Sequence, residues 1–528
     1  MHTDRESSRK DMWKGKKYGW MVLALAVLFG VQCLSILLCN IFLTPKNLDC
    51  DMAMLYVHTI EMWKNKTLLI PDWMYLTSLE LDCPALFATI FFGITGNIYL
   101  AYGLSHMCIL GIFAWTFFRI FRGRGNALYP LLCLNLITIP YGIGQLDYFN
   151  MTFFNGGQYA IKVLLPLMLV SILLNGKAKW DVKEIVYAVL YFILLFVSGL
   201  SSGIYVFACG IFPVFIGCFV WSLYNRQKFG RFFVGCGVFN LAVVAVGLLM
   251  NKFFLAGASN ARGMNMTLCS IWDIKDNITN CFWGIFELFE AVTYNDATAV
   301  MSYHGINILF RMAFVILMLG CAVCMVRRCI RKEADTLSVL LLCIFLWNTF
   351  ILCVCKTQYG SPTFEYRYHL MGVIPLLCVM AIWLVEEFEK CDLQWRNLGA
   401  ACCLLVLLVL NATSYKAVFD AETDTTILQA ICDYAKGEQI ETVYFLDSTT
   451  DSELCRLLDY ENVSYLYATG GGTSLAYNYY GSCTGAPIEQ ENMILVADTR
   501  YREAGETLEL AEQTYHYVMT VGTYNIYR

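Results

Sequence analysis

Apolar runs long enough to cross a bilayer recur from near the start of the chain to about residue 413. A lipid interior offers no water to backbone N–H and C=O groups, so a segment that enters it must satisfy them internally. A helix does so over roughly 20 residues. The runs at 18–43, 97–118, 127–145, 158–175, 184–199, 203–224, 232–251, 305–326, 336–355, 370–388 and 397–413 therefore read as about eleven transmembrane helices. Only 15% of the 528 residues are charged and 58% are hydrophobic, where a soluble domain carries about 25% charged residues. The expected fold class is an α-helical polytopic membrane protein with a small C-terminal α/β domain. A net charge of −5 offers no basic field to nucleic acid. The first run is too long for a signal-peptide core and no small-residue cleavage site follows it, so it reads as an anchor.

Basic residues fix the expected orientation, because cytoplasmic loops collect Lys and Arg. Arg5, Arg9, Lys10, Lys14, Lys16 and Lys17 precede the first run. Alternate loops then carry Arg119/Arg122/Arg124, Lys177/Lys179/Lys183, Arg226/Lys228/Arg231, Arg327/Arg328/Arg331/Lys332 and Lys390/Arg396, whereas 146–157 and 199–203 have neither. Residues 1–17 are thus expected in the cytoplasm. The transmembrane domain spans 18–414, with a first outer loop at 44–96 and a long outer loop at 252–304. An odd number of crossings leaves 415–528 outside.

In the first outer loop, Met54, Leu55, Ile60, Met62 and Trp63 alternate with polar residues, which predicts an amphipathic helix lying in the interface. The stretch 84–93 is apolar but too short to span. Composition changes near residue 415: the tail holds 18 Asp/Glu against 6 Lys/Arg. Thr426–Lys436 predicts a helix, and Thr442–Leu446, Val463–Tyr467 and Met493–Ala497 predict short buried strands. Most of the 24 cysteines lie in spans, where Cys behaves as a small apolar residue. Cys50–Cys83 and Cys269–Cys281 are the pairings open to an oxidising compartment.

Two carboxylates, Asp49 and Asp51, follow the first span closely. A helix beginning there would hold a carboxylate in its first turn, where the macrodipole favours the ionised form. The stretch "DMAMLYVHTIEM" from Asp51 to Met62 resembles the first outer loop of GT-C glycosyltransferases, a class that includes protein O-mannosyltransferases, aminoarabinose transferases and bacterial relatives. "CPALFATIFFGITGNIYLAYGLSHM" (83–107) is similar to their second-span arrangement, and "FEYRYHLMGVIPLL" (364–377) to the beginning of a late span. Met52 stands where many relatives carry Glu, and Ser105 and His106 lie where an Arg is common.

That resemblance implies a bacterial cytoplasmic-membrane enzyme that moves a hexose- or pentose-type sugar from a polyprenyl-phosphate donor to an outer glycan, lipid or protein acceptor. It implies Asp51 as general base, with Asp49 auxiliary, and inversion at the anomeric carbon. The leaving group is an anion, so cations rather than a general acid are needed. Arg367, with Tyr366 and His369 beside it, Lys162, Lys356 and Arg262 are the candidate cations and their neighbours at the outer surface. An ionisable residue inside a span reads as functional by default, which brings in Arg311 too. Glu365 and Glu80 are candidate acceptor-side carboxylates, and His58 and His106 read as structural. Asp49-x-Asp51 has a spacing that suits a divalent ion with phosphate oxygens; single-sugar transferases of the resembling class generally do without one, and no cofactor is expected. The competing readings are a transporter or flippase of lipid-linked glycans, a polymerase or ligase, and a non-catalytic scaffold. A flippase calls for charges at mid-span, and the spans here are mostly apolar.

Reporter fusions test the topology. Alkaline phosphatase joined after residue 528 is expected to be active and a fusion within 226–231 to be silent; the opposite pattern would invert the orientation.

Overall fold

The computed structural model describes residues 19–70, 73, 75, 78–144, 147–176, 180–225, 231–256, 267–292, 298–356, 366–468, 491–502, 505–510 and 513–528. Among them nine helices are long and apolar enough to cross a membrane: Gly19–Phe42, Ile98–Ile120, Val182–Ser202, Phe207–Tyr224, Phe232–Phe254, Tyr303–Arg331, Thr336–Val354, Arg367–Lys390 and Leu393–Asp420. Two expected spans are shorter helices, Leu128–Ile137 and Ala160–Asn175. The first of these stops early because Pro140 follows: the residue before a proline is pushed out of the helical region, and the chain leaves the helix at Thr138. Ala85–Thr95 is a separate 11-residue helix, ended by Gly96 in the left-handed region.

The helix Gly19–Phe42 shows how these segments sort their faces. Leu23, Val27, Val31, Leu34 and Leu38 are exposed, and Met21, Leu25, Leu28, Gln32, Ile36 and Cys39 are buried. Both sets advance by three or four residues, the spacing of one helix face. The outward face is apolar throughout, as a lipid-facing surface must be. The inward face carries Gln32, and its amide joins three helices. Its Nε2 donates to Asn411 Oδ1 (2.9 Å) and to the Asn135 carbonyl (3.1 Å), while Thr138 Oγ1 donates to Gln32 Oε1 (2.8 Å). Polar side chains that meet across helices hold bundles together where no hydrophobic force does. Small residues bring other helices closer still. A Cβ on Gly247 would meet the Gly199 backbone at 3.0 Å, so Val182–Ser202 and Arg231–Ala256 pack at backbone contact.

Charges gather at the end of the bundle away from the C-terminal domain. Arg119 pairs with Glu184 (2.7 Å), and both side chains are nearly buried. Arg122 shares the same carboxylate at 3.4 Å. Arg124 and Arg328 both pair with Glu386, and Arg328 also with Glu387.

Beyond the bundle, short strands β1 (Thr267–Leu268) and β2 (Cys355–Lys356) pair antiparallel. The C-terminal domain is one six-stranded sheet: β3 (Thr442–Phe445), β4 (Ser464–Tyr467), β5 (Met493–Asp498), β6 (Thr507–Leu510), β7 (Gln513–Val521) and β8 (Tyr524–Tyr527), in the order β4-β3-β5-β8-β7-β6. β3 runs parallel to β4 and β5, and the remaining pairs are antiparallel. Helices Thr426–Gly437 and Thr449–Leu458 cover the sheet, with Leu428, Ile431, Cys432, Leu454 and Cys455 buried beneath them.

Neither of the pairings open to an oxidising compartment is formed here. All four cysteines are free thiols: Cys83 Sγ donates to the Glu80 carbonyl (3.0 Å), Cys50 faces Asp51, and Cys281 packs against Leu352 and Cys353. Each partner is claimed by a neighbour in its own element or helix contact.

Replacing Glu184 by Ala strands a buried Arg119. Loss of one partner of a buried ion pair costs about 3–5 kcal/mol, so Glu184→Ala is expected to lower the unfolding free energy extrapolated from a denaturant titration by that amount. Arg122→Ala, at the exposed member, is expected to cost less than about 1 kcal/mol.

Candidate active site at the domain end of the bundle

Asp51 lies in the first turn of the helix Cys50–Asn65. Asp49 is the cap of that helix: its Oδ1 accepts from the Met52 backbone N–H (3.0 Å). An Asp in extended backbone at this position satisfies an orphan N–H of the first turn. The two carboxylates thus separate, Asp49 turned back onto the helix it starts and Asp51 one step inside it. Protein covers the helix whose amphipathicity suggested an interfacial position. Met52 to Ile60 are all buried. One side packs on Ala85–Thr95 and the other on the domain helix Thr449–Leu458.

The domain grips this helix along its length. Tyr460 OH donates to Glu61 Oε1, and Lys64 pairs with Glu461 (3.1 Å). Just before the helix, the Thr423 N–H donates to the Lys46 carbonyl. An open cleft of about 640 Å³ at the far end is lined by Glu61, Lys64, Arg456, Tyr460 and Asn462. Another recess, about 510 Å³, is lined by Asp147, Glu287, Glu290, His304, Lys416 and Ala421. Burial pushes the Asp147 carboxyl up to about 6. This recess adjoins the start of the Asp51 helix, since Asn47 Nδ2 donates to the Ala421 carbonyl (3.1 Å).

The chain returns from the helix through a loop that the end of Val182–Ser202 stitches in place. The Leu79 N–H donates to the Ser201 carbonyl (3.1 Å), and the Leu81 N–H to Ser201 Oγ (3.0 Å). Ser198 and Ser202, four apart and so on one face, both donate to Asp82 Oδ2 (2.9 and 2.7 Å). Asp82 is fully buried. Its other oxygen faces Lys162 Nζ at 3.5 Å. Lys162 stands in the first turn of Ala160–Asn175, 8% exposed, and also donates to the Gln158 carbonyl (3.0 Å). Glu80 stands in the same corner. Burial raises its carboxyl to about 8, with the Asp51 charge adding to the rise and Lys162 opposing it.

Aromatic rings flank this corner. Lys162 Nζ lies 5.2 Å from the Tyr159 ring centre, and Tyr159 meets Tyr205 edge-on at 6.1 Å. The Arg367 guanidinium stands 5.6 Å from the Tyr368 ring. Glu80 thus sits between the charges of Asp51 and Lys162, and Arg367 stands beside Tyr368 just before the start of the helix Leu370–Lys390.

Other predicted residues have different places. Lys356 faces Asp273 at 4.0 Å. His369 is buried against Gly284, where a Cβ would meet Nε2 at 2.6 Å. Arg311 is a clamp inside the bundle: it donates to the Tyr141 and Phe289 carbonyls and Ser414 Oγ, and pairs with Glu290 at 3.1 Å. His58 meets Tyr75 OH (3.2 Å), and burial pushes its imidazole down to about 3, so it is neutral. His106 Nε2 lies 3.1 Å from the Asn155 carbonyl. Tyr366 begins the turn Tyr366–His369; Arg262 and Glu365 lie outside the described residues. Among the described residues no three His, Cys, Asp or Glu side chains form a metal-binding group.

Asp82, Ser198, Ser202, Tyr159 and Tyr205 carry no motif that singles them out in the sequence. The available signal is local: Asp82 sits between Leu81 and Cys83 before Pro84, an acid among apolar neighbours.

No family model matches the chain, and no curated protein matches it in sequence. In fold it is similar to crystal structures of ArnT from Cupriavidus metallidurans. To the apo state the TM-score is 0.56 at 10% identity, covering 96% of this chain and 97% of that one. To the state bound to undecaprenyl phosphate the TM-score is 0.53 at 11% identity, covering 97% and 98%. The architecture is therefore ArnT-like: an integral multi-pass helical bundle with a small C-terminal sheet domain.

The ion pair Lys162–Asp82 can be tested by a double-mutant cycle. Lys162→Met alone strands a buried carboxylate and is expected to destabilise by about 3 kcal/mol. Adding Asp82→Leu is expected to recover most of that loss, giving a coupling energy above about 1 kcal/mol in denaturant titrations.

Proposed function

We propose that the chain is a GT-C-type glycosyltransferase that moves a sugar from a polyprenyl-phosphate donor to an acceptor hydroxyl outside the cytoplasm, with inversion. The observation that carries this reading is the corner where the Glu80 carboxyl feels the charges of both Asp51 and Lys162, in a fold similar to that of ArnT, a crystal structure of which contains undecaprenyl phosphate.

In this reading Asp51 accepts the proton of the acceptor hydroxyl. The oxygen attacks the anomeric carbon as the bond from that carbon to the phosphate oxygen breaks, and the electron pair leaves with the lipid phosphate. A helix N-terminus keeps a carboxylate ionised, as a general base requires. Attack on the face opposite the departing phosphate inverts the centre, as in inverting hydrolases. Lys162 and Arg367 offset the phosphate charge; a guanidinium presents a fork that suits phosphate oxygens. Asp49 acts on the base indirectly, by setting where its helix starts. The recess beside Asn47 is the space offered to the acceptor, of a size usual for small-molecule sites.

The assay is transfer from a labelled polyprenyl-phosphate sugar in membranes that carry the protein. Asp51→Asn is expected to lower turnover by about 10²–10⁴-fold, the range for a lost general base, with the donor KM nearly unchanged. Lys162→Ala is expected to raise the donor KM about tenfold, the worth of a charge-assisted hydrogen bond. Equal transfer by wild type and Asp51→Asn would remove Asp51 from the role of base.

A further inference from the structure

Glu80 is held in a conformation that non-glycine residues rarely adopt. Its φ is 57°, in the left-handed region that costs an L-residue energy. The surrounding hydrogen bonds impose it: the Glu80 N–H donates to Ser78 Oγ (3.0 Å), Leu79 and Leu81 are pinned to Ser201, and Cys83 Sγ donates to the Glu80 carbonyl (3.0 Å). The side chain this sets in place has one oxygen, Oε2, that is buried without a hydrogen-bond partner. Strain and an unsatisfied buried polar atom at one residue mark a position built for something other than stability.

The charged and titratable groups around it are Asp51 on the outer helix, Asp82 and Cys83 on its own loop, Tyr75, Tyr102 and Lys162. Lys162 is already paired with Asp82. Ionised, Glu80 would make three carboxylates against one ammonium in the corner assigned to an anionic phosphate. Like charges that crowd one site cannot all stay ionised.

We propose that Glu80 enters the reaction as a neutral carboxylic acid, whose O–H donates a hydrogen bond to a phosphate oxygen of the lipid-linked substrate. This rests on the lipid-phosphate reading above and adds a donor that carries no charge of its own. The proton stays at neutral pH because burial, reinforced by Asp51 and Asp82, pushes the carboxyl up to about 8. Below that pH the group donates; as pH rises through it, a carboxylate comes to face the phosphate and binding is lost. The second ionisation of a phosphate monoester, near pH 6, lies below this window.

The test is binding of undecaprenyl phosphate to the full chain in nanodiscs, at about pH 7 and pH 9.5. For wild type the Kd is expected to rise about tenfold or more between the two, the size of a lost hydrogen bond to a charged group. For Glu80→Gln, whose amide donates at both pH values, the ratio is expected to fall below about threefold. Glu80→Ala is expected to bind about tenfold more weakly than wild type at pH 7. Equal ratios for wild type and Glu80→Gln, or wild-type affinity in Glu80→Ala, would overturn the assignment. Lys162→Ala separates the two levels. If it weakens binding while Glu80→Gln keeps the wild-type ratio, Glu80 alone is wrongly assigned. If the lipid does not bind wild type at either pH, the lipid-phosphate reading falls and this assignment with it.

Discussion

The buried pair of Lys162 and Asp82 is the joint on which the domain end of the molecule depends. Neither charge could be taken out of water alone, since an isolated ion in a low-dielectric interior costs many kcal/mol. Each therefore requires the other, and Ser198 and Ser202 use the carboxylate's second oxygen. In one stroke three pieces far apart in sequence are fixed to each other: the loop after the Asp51 helix, the start of Ala160–Asn175 and the end of Val182–Ser202. The loop cannot shift without uncovering an unpaired charge. Glu80 owes its strained backbone to this anchoring, and Asp51 its neighbours.

Further into the bilayer the same rule acts through neutral groups. The Gln32 amide links the Asn135 carbonyl, Thr138 and Asn411 between helices. Away from the domain, Arg119 and Glu184 meet as a buried pair. The outward surface of the first helix remains apolar.

Much of the architecture was legible in the sequence because lipid leaves so little choice. A run such as 336–355 has one structure available to it, and the helix Thr336–Val354 follows. The strand over Met493–Asp498 was legible for the same reason on a smaller scale, as an apolar run of strand length. The corner around Asp51 was legible only in part. Asp51 stood out by its position after a span, and Lys162 by being charged within one. Asp82 did not, since burial is decided by residues 80 and 120 positions away, at Lys162 and Ser202. The apolar stripe of the helix Cys50–Asn65 was legible, but not the domain helix that packs on it. A stripe of apolar residues says that something covers it; a lipid surface and the domain helix Thr449–Leu458 satisfy it equally well. The cysteine pairings were left open for a like reason, as sequence spacing carries no information on which way each thiol points.

The C-terminal domain holds the Asp51 helix at both ends, through Lys46 before it and through Glu61 and Lys64 at its far end. Helix and domain lie some 400 positions apart, yet they share one interface and one set of complementary charges. A graft that brought a foreign domain onto this bundle would have to carry the first outer loop with it, and with the loop the Lys162, Ser198 and Ser202 side chains that anchor its Asp82.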